Sequence, residues 1–213
     1  PACGLEPCRV SIGLDGESGL VPRLGQFALE EACSTARNWV DNGVQNMSIA
    51  VNVSTLQLKP AIVPVVRDLL RFYSLPPYML ELEVTESSAL DPDSPESQGL
   101  QSPHKLGLRL AIDDFGMGHS SLKYLKEFPV DVVKIDGAIT REVTFNPICA
   151  DIVSSITKLC RARDIMSVAE FVENTDQIAE LTKHGCDVYQ GYYFSKPLVA
   201  DECLAYIKAN QKT

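Results

Sequence analysis

The chain has 213 residues, of which 45% are hydrophobic, a formal net charge of -9 at pH 7 and a pI near 4.8. This length and composition predict a globular chain with a sizeable core, and a single α/β domain over 1–213 is the simplest arrangement. The acidic balance argues against binding to a nucleic-acid polymer, because such proteins concentrate Lys and Arg on one face. An anionic substrate must therefore be met locally, by a metal ion or by a few placed cations.

Seven cysteines are scattered without CxxC spacing or paired Cys/His clusters: Cys3, Cys8, Cys33, Cys149, Cys160, Cys186 and Cys203. This pattern is typical of reduced, mostly buried thiols in a cytosolic protein. The sequence contains no recognisable signal peptide and no apolar run long enough to span a bilayer. We therefore expect a cytoplasmic protein, or the cytoplasmic piece of a larger one.

Short runs rich in Val, Ile and Leu alternate with longer amphipathic segments. Strands are predicted at 4–10, 47–53, 79–85, 108–113, 130–135, 165–170 and 186–190, with a candidate last strand at 192–194. Helix patterns cover 24–42, 60–72, 150–163 and 175–184, and Gly185 follows the last as a C-cap residue would. Repeated strand-then-helix order predicts a parallel sheet, and about eight strands in this length favour a (β/α)8 barrel over a doubly wound sheet.

The segment 91–104, "DPDSPESQGLQSPH", lies where a helix should connect the third and fourth strands. Its three prolines and one glycine would interrupt that helix. A shortened surface helix is favoured here over a functional lid.

Polar or charged residues lie at the ends of successive predicted strands: Asn52, Glu83, Asp113, Asp114, Lys134, Glu170 with Glu173 shortly after it, and Gln190. The carboxyl ends of barrel strands meet on one face, where barrel enzymes keep their chemistry. Acids brought together there would repel each other unless cations neutralised them, and ligation by oxygen atoms suits Mg²⁺ or Mn²⁺. The adjacent Asp113 and Asp114 therefore predict a divalent-metal site, with two ions sharing Asp113 and the following glycines letting a loop close over a ligand.

Each of these residues also has an ordinary structural explanation when it is taken alone. An Asp at a strand end often caps the next helix, and Lys134 would often be a solvated or salt-bridged lysine. Glu173 would usually be an acid in the first turn of a helix. The metal interpretation depends on the coincidence across several strands.

Four segments, "VNVSTLQL", "LELEVTES", "DDFGMGHSSLKYLKEFPVDVVKID" and "VAEFVENTDQIAELTKHGCDVYQGYYFSKPL", occur in this order along the chain. Together they resemble the EAL-domain family, over about residues 16–208. That family consists of cyclic di-GMP phosphodiesterases and their degenerate receptors, and it adopts a modified (β/α)8 barrel. The resemblance is specific because several motifs recur with family-like spacing.

The resemblance implies metal ligation by Asn52, Glu83, Asp113 and Asp114, with Glu170 completing the metal and water site. It also implies that Lys134 lies beside the nucleophilic water and the scissile phosphate, that Glu173 anchors the loop after Asp114, and that Gln190 lies near the nucleotide. The implied reaction is hydrolysis of one phosphodiester of cyclic di-GMP to linear pGpG, with two Mg²⁺ or Mn²⁺ ions and with Ca²⁺ as an inhibitory ion. A homodimer, and sensor or diguanylate-cyclase domains outside this chain, are further implications of the resemblance.

The first strand departs from the family's Glu-Ala-Leu motif. In "GLEPCRV", Glu6 stands in for the metal-binding glutamate and Arg9 for the phosphate-contacting arginine, but Arg9 comes one residue early and Pro7 removes a backbone donor. The strand-to-helix loop around 9–16 is shorter than usual for the family or is incomplete. The loop after Asp114 reads Gly-Met-Gly-His, where the family usually has Gly-Thr-Gly-Tyr.

The sequence is therefore compatible with two functions. A metal-dependent phosphodiesterase is favoured because most of the metal and catalytic residues are present. A catalytically inactive receptor for cyclic di-GMP or for a protein partner is the alternative that the altered first strand supports. An unrelated barrel enzyme acting on a small phosphorylated substrate has little support.

Overall fold

A computed structural model of the protein describes residues 20–53, 62–86, 103–116, 125 and 128–210. The described strands form one parallel sheet in which spatial order follows chain order. They are β1 Ile49–Asn52, β2 Leu80–Thr85, β3 Arg109–Phe115, β4 Val132–Ile135, β5 Met166–Ala169 and β6 Val188–Tyr189. The helices are α1 Leu20–Asp41, α2 Ile62–Phe72, α3 Gly137–Glu142, α4 Pro147–Ala162, α5 Thr175–Lys183 and α6 Ala200–Asn210, and a 3-10 turn covers Pro77–Met79.

The predicted parallel α/β architecture is confirmed, and six strands of the sheet are described. The candidate strand at 192–194 is wrong: these residues form a turn, closed by a hydrogen bond of 3.1 Å from the Phe194 amide to the Gly191 carbonyl. The predicted first strand at 4–10, the loop around 9–16 and most of the 91–104 segment lie outside the described residues.

The sheet has two different faces because side chains alternate along each strand. Leu80, Leu82 and Val84 of β2 face the helices and belong to the main hydrophobic core. Glu81 and Glu83 of the same strand face the other way, onto an inner surface that lines an open cavity of about 500 Å³. Most residues of β2 and all of β4 are nonetheless buried, as is usual for the strands of a parallel sheet.

The helices cover the outer face with regularly spaced apolar residues. On α2, Ile62, Val66 and Leu70 recur every four residues and are buried. Each fully buried aliphatic side chain of this kind stabilises the fold by about 1.5–3 kcal/mol. This outer core supports a sheet whose inner face carries charged groups.

Local signals set the helix ends. The side chain of Asn146 accepts a hydrogen bond from the Ile148 amide at the start of α4, with Pro147 at the first helical position. Asn174 and Gln177 form a reciprocal capping box at the start of α5. Gly185, with φ of +83°, follows the end of α5, as its place after the predicted helix suggested.

Four of the cysteines in the described residues, Cys33, Cys149, Cys160 and Cys186, are buried free thiols, and Cys203 is half-buried. Cys3 and Cys8 lie outside the described residues. Among the described helices, none is both long enough and apolar enough to cross a bilayer.

Candidate active site

The two adjacent aspartates lie within β3, which continues to Phe115 rather than ending at Asp113 as predicted. Asp113 and Asp114 together oppose the single residue Lys134 of β4, because the register shifts between Ile112 and Phe115. This is a β-bulge, in which the extra residue bends the strand and redirects a side chain. Asp114 adopts a left-handed backbone with φ of +54°, which Asp tolerates better than most residues.

The bulge explains how consecutive strand residues reach the same site. In a regular strand Asp113 and Asp114 would point to opposite faces. Here carboxylate oxygens of Asp113, Asp114 and Glu170 lie within 4.8 Å of one another. Glu170 directly follows β5, and its amide donates to the Ile135 carbonyl of β4 at 3.3 Å.

Lys134 lies at the centre of this acidic group and is 6% exposed. Its ammonium nitrogen is 2.9 Å from Oε1 of Glu170, 3.0 Å from Oε2 of Glu83 and 3.2 Å from Oδ1 of Asp113. Burial disfavours the charged amine, but the negative charges of Glu83 and Glu170 outweigh burial and raise the pKa of Lys134. The lysine is therefore cationic at neutral pH.

Burial also disfavours the charged form of the neighbouring acids. It raises the pKa of Glu83 and of Glu170, and the ammonium of Lys134 only partly offsets that effect. One ammonium faces three carboxyl groups, so a further cation would favour the ionised form of all three.

The donor set fits a divalent metal ion. Oδ1 of Asp113 is buried and accepts no hydrogen bond within the part of the chain that the structure describes, although the Lys134 ammonium is close. The ion pair with Lys134 leaves this buried oxygen without a hydrogen bond from the described residues, and coordination to a metal ion would satisfy it. Carboxylate oxygens from Asp113, Asp114 and Glu170 are the ligand type that Mg²⁺ and Mn²⁺ prefer.

Asn52 and Gln190 flank this cluster. Asn52 ends β1 and is paired in register with Glu83 of β2. Gln190 follows β6 and lines the inner cavity together with Glu83 and Lys134. Both Asn52 and Gln190 are exposed to solvent, so their side chains are accessible to a ligand lying over the inner face.

Glu173 lies outside this ion-pair group. It is exposed, and its amide donates to Oε1 of Gln177 at 2.7 Å, just before α5. The loop after Asp114 that it is predicted to anchor begins at Gly116, and residues 117–124 are outside the described part. Its anchoring role therefore stays a prediction. Glu6 and Arg9 also lie outside the described residues.

Glu86 and Gln177 are among the buried polar residues that the sequence analysis did not identify. Oε2 of Glu86, just after β2, accepts from the Gly116 amide at 3.0 Å and so supports the end of the bulged strand. No periodic signal marks Glu86. Gln177 bridges three segments near Glu170, and the Asn174-x-x-Gln177 capping-box spacing is the signal that could have identified it.

The fold and the site together define a parallel α/β protein with an acidic, lysine-containing cluster towards the carboxyl ends of its strands. The EAL domain family model matches residues 9–197. The chain therefore belongs to the EAL domain family.

Curated relatives carry the same similarity. The chain is 38% identical over 204 residues to the signaling protein YkoW of Bacillus subtilis, covering 95% of this chain and 25% of that protein. It is 40% identical over 192 residues to the bifunctional diguanylate cyclase/cyclic di-GMP phosphodiesterase MucR of Pseudomonas aeruginosa, covering 90% of this chain and 28% of MucR. The chain thus spans about a quarter of the length of these relatives.

Solved structures agree with the fold. The PaMucR phosphodiesterase in complex with c-di-GMP matches with a TM-score of 0.88 and 38% identity, covering 95% of this chain and 83% of that one. The EAL enzyme Bd1971, in a form with cAMP and cyclic di-GMP bound, matches with a TM-score of 0.90 and 29% identity, covering 97% and 57% of the two chains.

Proposed function

We propose that this chain is a metal-dependent phosphodiesterase that hydrolyses one phosphodiester of cyclic di-GMP to linear pGpG. The observation that carries the proposal is the convergence of Asp113, Asp114 and Glu170 within 4.8 Å, beside a buried ammonium. Relatives named as cyclic di-GMP phosphodiesterases, including MucR of Pseudomonas aeruginosa and PdeR of Escherichia coli, support the substrate.

Asp113, Asp114 and Glu170 would hold the metal, with Glu83, Asn52 and Glu6 as further proposed ligands. When bound, two Mg²⁺ or Mn²⁺ ions would activate water and stabilise the charge that develops on the phosphate, whereas Ca²⁺ would inhibit. In the net reaction a water oxygen bonds to phosphorus and one phosphorus–O3′ bond breaks. The product carries a 5′ phosphate and a 3′ hydroxyl, which takes up the proton.

Lys134 would contribute positive charge to the substrate phosphate. Its contacts with Glu83, Asp113 and Glu170 fix the ammonium on the inner face, so little reorganisation is needed when negative charge grows on the phosphate. A lysine suits this role as a compact point charge. Arg9 and Gln190 are proposed to contact phosphate and nucleotide, and Glu173 to anchor the loop after Asp114.

We further propose that residues 1–213 form one domain, a modified eight-stranded barrel in which the segment containing Glu6 is the first strand. The domain is proposed to act in the cytoplasm, as a homodimer, beside sensor or diguanylate-cyclase domains. The much greater length of its relatives, and the bifunctional description of MucR, support such neighbouring domains.

A receptor without catalytic activity is the second candidate, because "GLEPCRV" departs from the family's first-strand motif. The deciding measurement is the conversion of cyclic di-GMP to pGpG with Mn²⁺ or Mg²⁺, run beside binding of cyclic di-GMP in Ca²⁺. The phosphodiesterase proposal expects turnover that falls about 100-fold or more in Glu170→Gln. It also expects loss of turnover in Glu6→Ala.

Glu81→Gln is the matched control. Glu81 is a buried acid on the same inner face, two residues before Glu83, and it lies outside the group that could hold a metal among the described residues. The control should keep most of the wild-type rate. Binding without turnover would establish the receptor, and the absence of both would contradict either function.

A further inference from the structure

Gln177 is a buried carboxamide near the candidate active site, only 3% exposed. Its Oε1 accepts from the amides of Glu173 at 2.7 Å and Asn174 at 3.2 Å. Its Nε2 donates to the carbonyl of Thr140, on α3, at 3.3 Å. One side chain therefore joins α5, the segment before it, and α3.

Only one orientation of the carboxamide satisfies these neighbours. The amides of Glu173 and Asn174 are donors and need the oxygen, whereas the carbonyl of Thr140 is an acceptor and needs the NH₂ group. The three partners thus fix the rotation of the Gln177 side chain, which is well suited to holding its neighbours in place.

The segment that Gln177 holds contains Glu170. Three of its amides anchor it: that of Glu170 donates to the Ile135 carbonyl of β4, that of Val172 donates to the Gln190 carbonyl at 3.0 Å, and that of Glu173 donates to Oε1 of Gln177. Gln177 thus holds the last of these three anchors, three residues after Glu170.

The same segment also packs against α3 through Phe171. Phe171 has a left-handed backbone, with φ of +55°, which a bulky residue adopts only when its surroundings hold it. Its ring lies so close to Gly137 that a Cβ added to Gly137 would be 2.7 Å from Cγ of Phe171. The guanidinium of Arg141 lies over the same ring, 4.3 Å from the ring centre. Helix α3 therefore supports the segment at two points, the Phe171 ring and the Gln177 bridge.

We propose that Gln177 is a positioning residue of the active site. By tying the Glu173 amide to α3, it sets the direction in which the Glu170 carboxylate meets Lys134 and the two aspartates. This inference rests on the proposed metal-dependent reaction, and it adds a residue that touches neither substrate nor metal.

The ordinary alternative is that Gln177 only caps α5. Two substitutions separate the roles. In Gln177→Glu the carboxylate can still accept from Glu173 and Asn174 but cannot donate to Thr140, so the cap is kept and the bridge is lost. In Asn174→Ala the other half of the capping box is lost, while the bridge from Gln177 to Thr140 is kept.

The experiment compares both variants with the wild-type chain in steady-state hydrolysis of cyclic di-GMP and in calorimetric titration with Mn²⁺. We expect Gln177→Glu to lower kcat about 10-fold with KM within about 2-fold, because a misplaced ligand affects the transition state more than substrate binding. Mn²⁺ affinity should fall about 10-fold as well. Asn174→Ala should change kcat and Mn²⁺ affinity by no more than about 2-fold.

The outcomes are distinct. Wild-type kcat and Mn²⁺ affinity in Gln177→Glu, or equal losses in both variants, would overturn the positioning role. If the wild-type chain binds Mn²⁺ without turnover, the proposed function fails and the Mn²⁺ titration still decides the role of Gln177. If it binds no Mn²⁺, both proposals fail. Should Gln177→Glu not fold, Gln177→Ala takes its place against Asn174→Ala with the same readouts.

Discussion

Lys134 carries a full charge although its side chain is buried on the inner face of the sheet. The side chain is stable there because carboxylates of Glu83, Asp113 and Glu170 lie within 3.2 Å of its nitrogen. A buried ion pair of this kind gains little over an apolar packing, but removing one partner leaves the others unpaired. Lys134 thus has a structural role beside its proposed catalytic one.

Replacement of Lys134 by Met should therefore destabilise the protein. We expect a loss of about 3 kcal/mol or more in the free energy of unfolding at pH 7.5, measured by urea titration with a chelator present. Without the ammonium, the pKa values of Glu83 and Glu170, already raised by burial, would rise further. The folded variant then binds more protons than the unfolded chain, so its stability should recover as the pH falls towards 5.5.

Lys183→Met is the control for this measurement. Lys183 also pairs with an acid, Glu180, at 2.8 Å, but its side chain is 67% exposed. Exposed ion pairs contribute little to stability, so the control should be nearly neutral. An equally small effect of Lys134→Met would show that the three contacts are not structurally important.

At the scale of elements, the bulge in β3 brings the acids together. A regular strand would place only one of Asp113 and Asp114 on the inner face. The bulge needs a residue with a left-handed backbone at Asp114. Just after the bulge, the buried Glu86 accepts a hydrogen bond from the Gly116 amide. Backbone geometry, and not only residue type, therefore creates the candidate metal site.

Substitutions at Asp114 should separate backbone from charge. Asn tolerates the left-handed region, so Asp114→Asn should keep the stability of the wild-type chain within about 0.5 kcal/mol while weakening Mn²⁺ binding. Asp114→Val should cost a further 1–2 kcal/mol or so, because a β-branched residue is strained at this φ. Urea unfolding measures the stability of both variants, and calorimetric titration measures their Mn²⁺ binding. Equal stability of the two variants would argue against a left-handed backbone at this position.

At the scale of the whole molecule, buried thiols report on the packing of the helices against the sheet. Burial raises the pKa of the Cys33 thiol to about 11. It is also the largest cause of the raised pKa of Cys160, which is about 12. Neither thiol forms a reactive thiolate readily near pH 8, whereas the half-buried Cys203 is more accessible.

We therefore expect iodoacetamide at pH 8 to label Cys203 in the folded protein, and Cys33 and Cys160 only upon unfolding. Mass spectrometry of peptides from a denaturant series measures each site separately. Because a thiolate forms more easily in the unfolded chain, these cysteines should also reduce stability as the pH rises above about 8.5. Rapid labelling of Cys160 without denaturant would contradict the packing of α4 on the sheet.

Much of this architecture could be predicted from local patterns. Apolar runs of five to seven residues located β1 to β6. Amphipathic spacing located α1, α2, α4 and α5 within a few residues of their observed ends. The aromatic run at 192–194 misled because it has strand-like composition, yet its backbone bonds form a local turn.

The candidate site also has features that the sequence predicts and features that only the tertiary structure shows. The sequence by itself determined the residue types: acids and a lysine towards the carboxyl ends of parallel strands, in the order of the EAL family. It did so because side-chain alternation and strand order are local properties. Only the tertiary structure decided that a bulge turns Asp113 and Asp114 to one site, and that Gln177 reaches Thr140, 37 residues earlier in the chain. Those features depend on strand register and on helix packing against the sheet, which short segments of sequence do not encode.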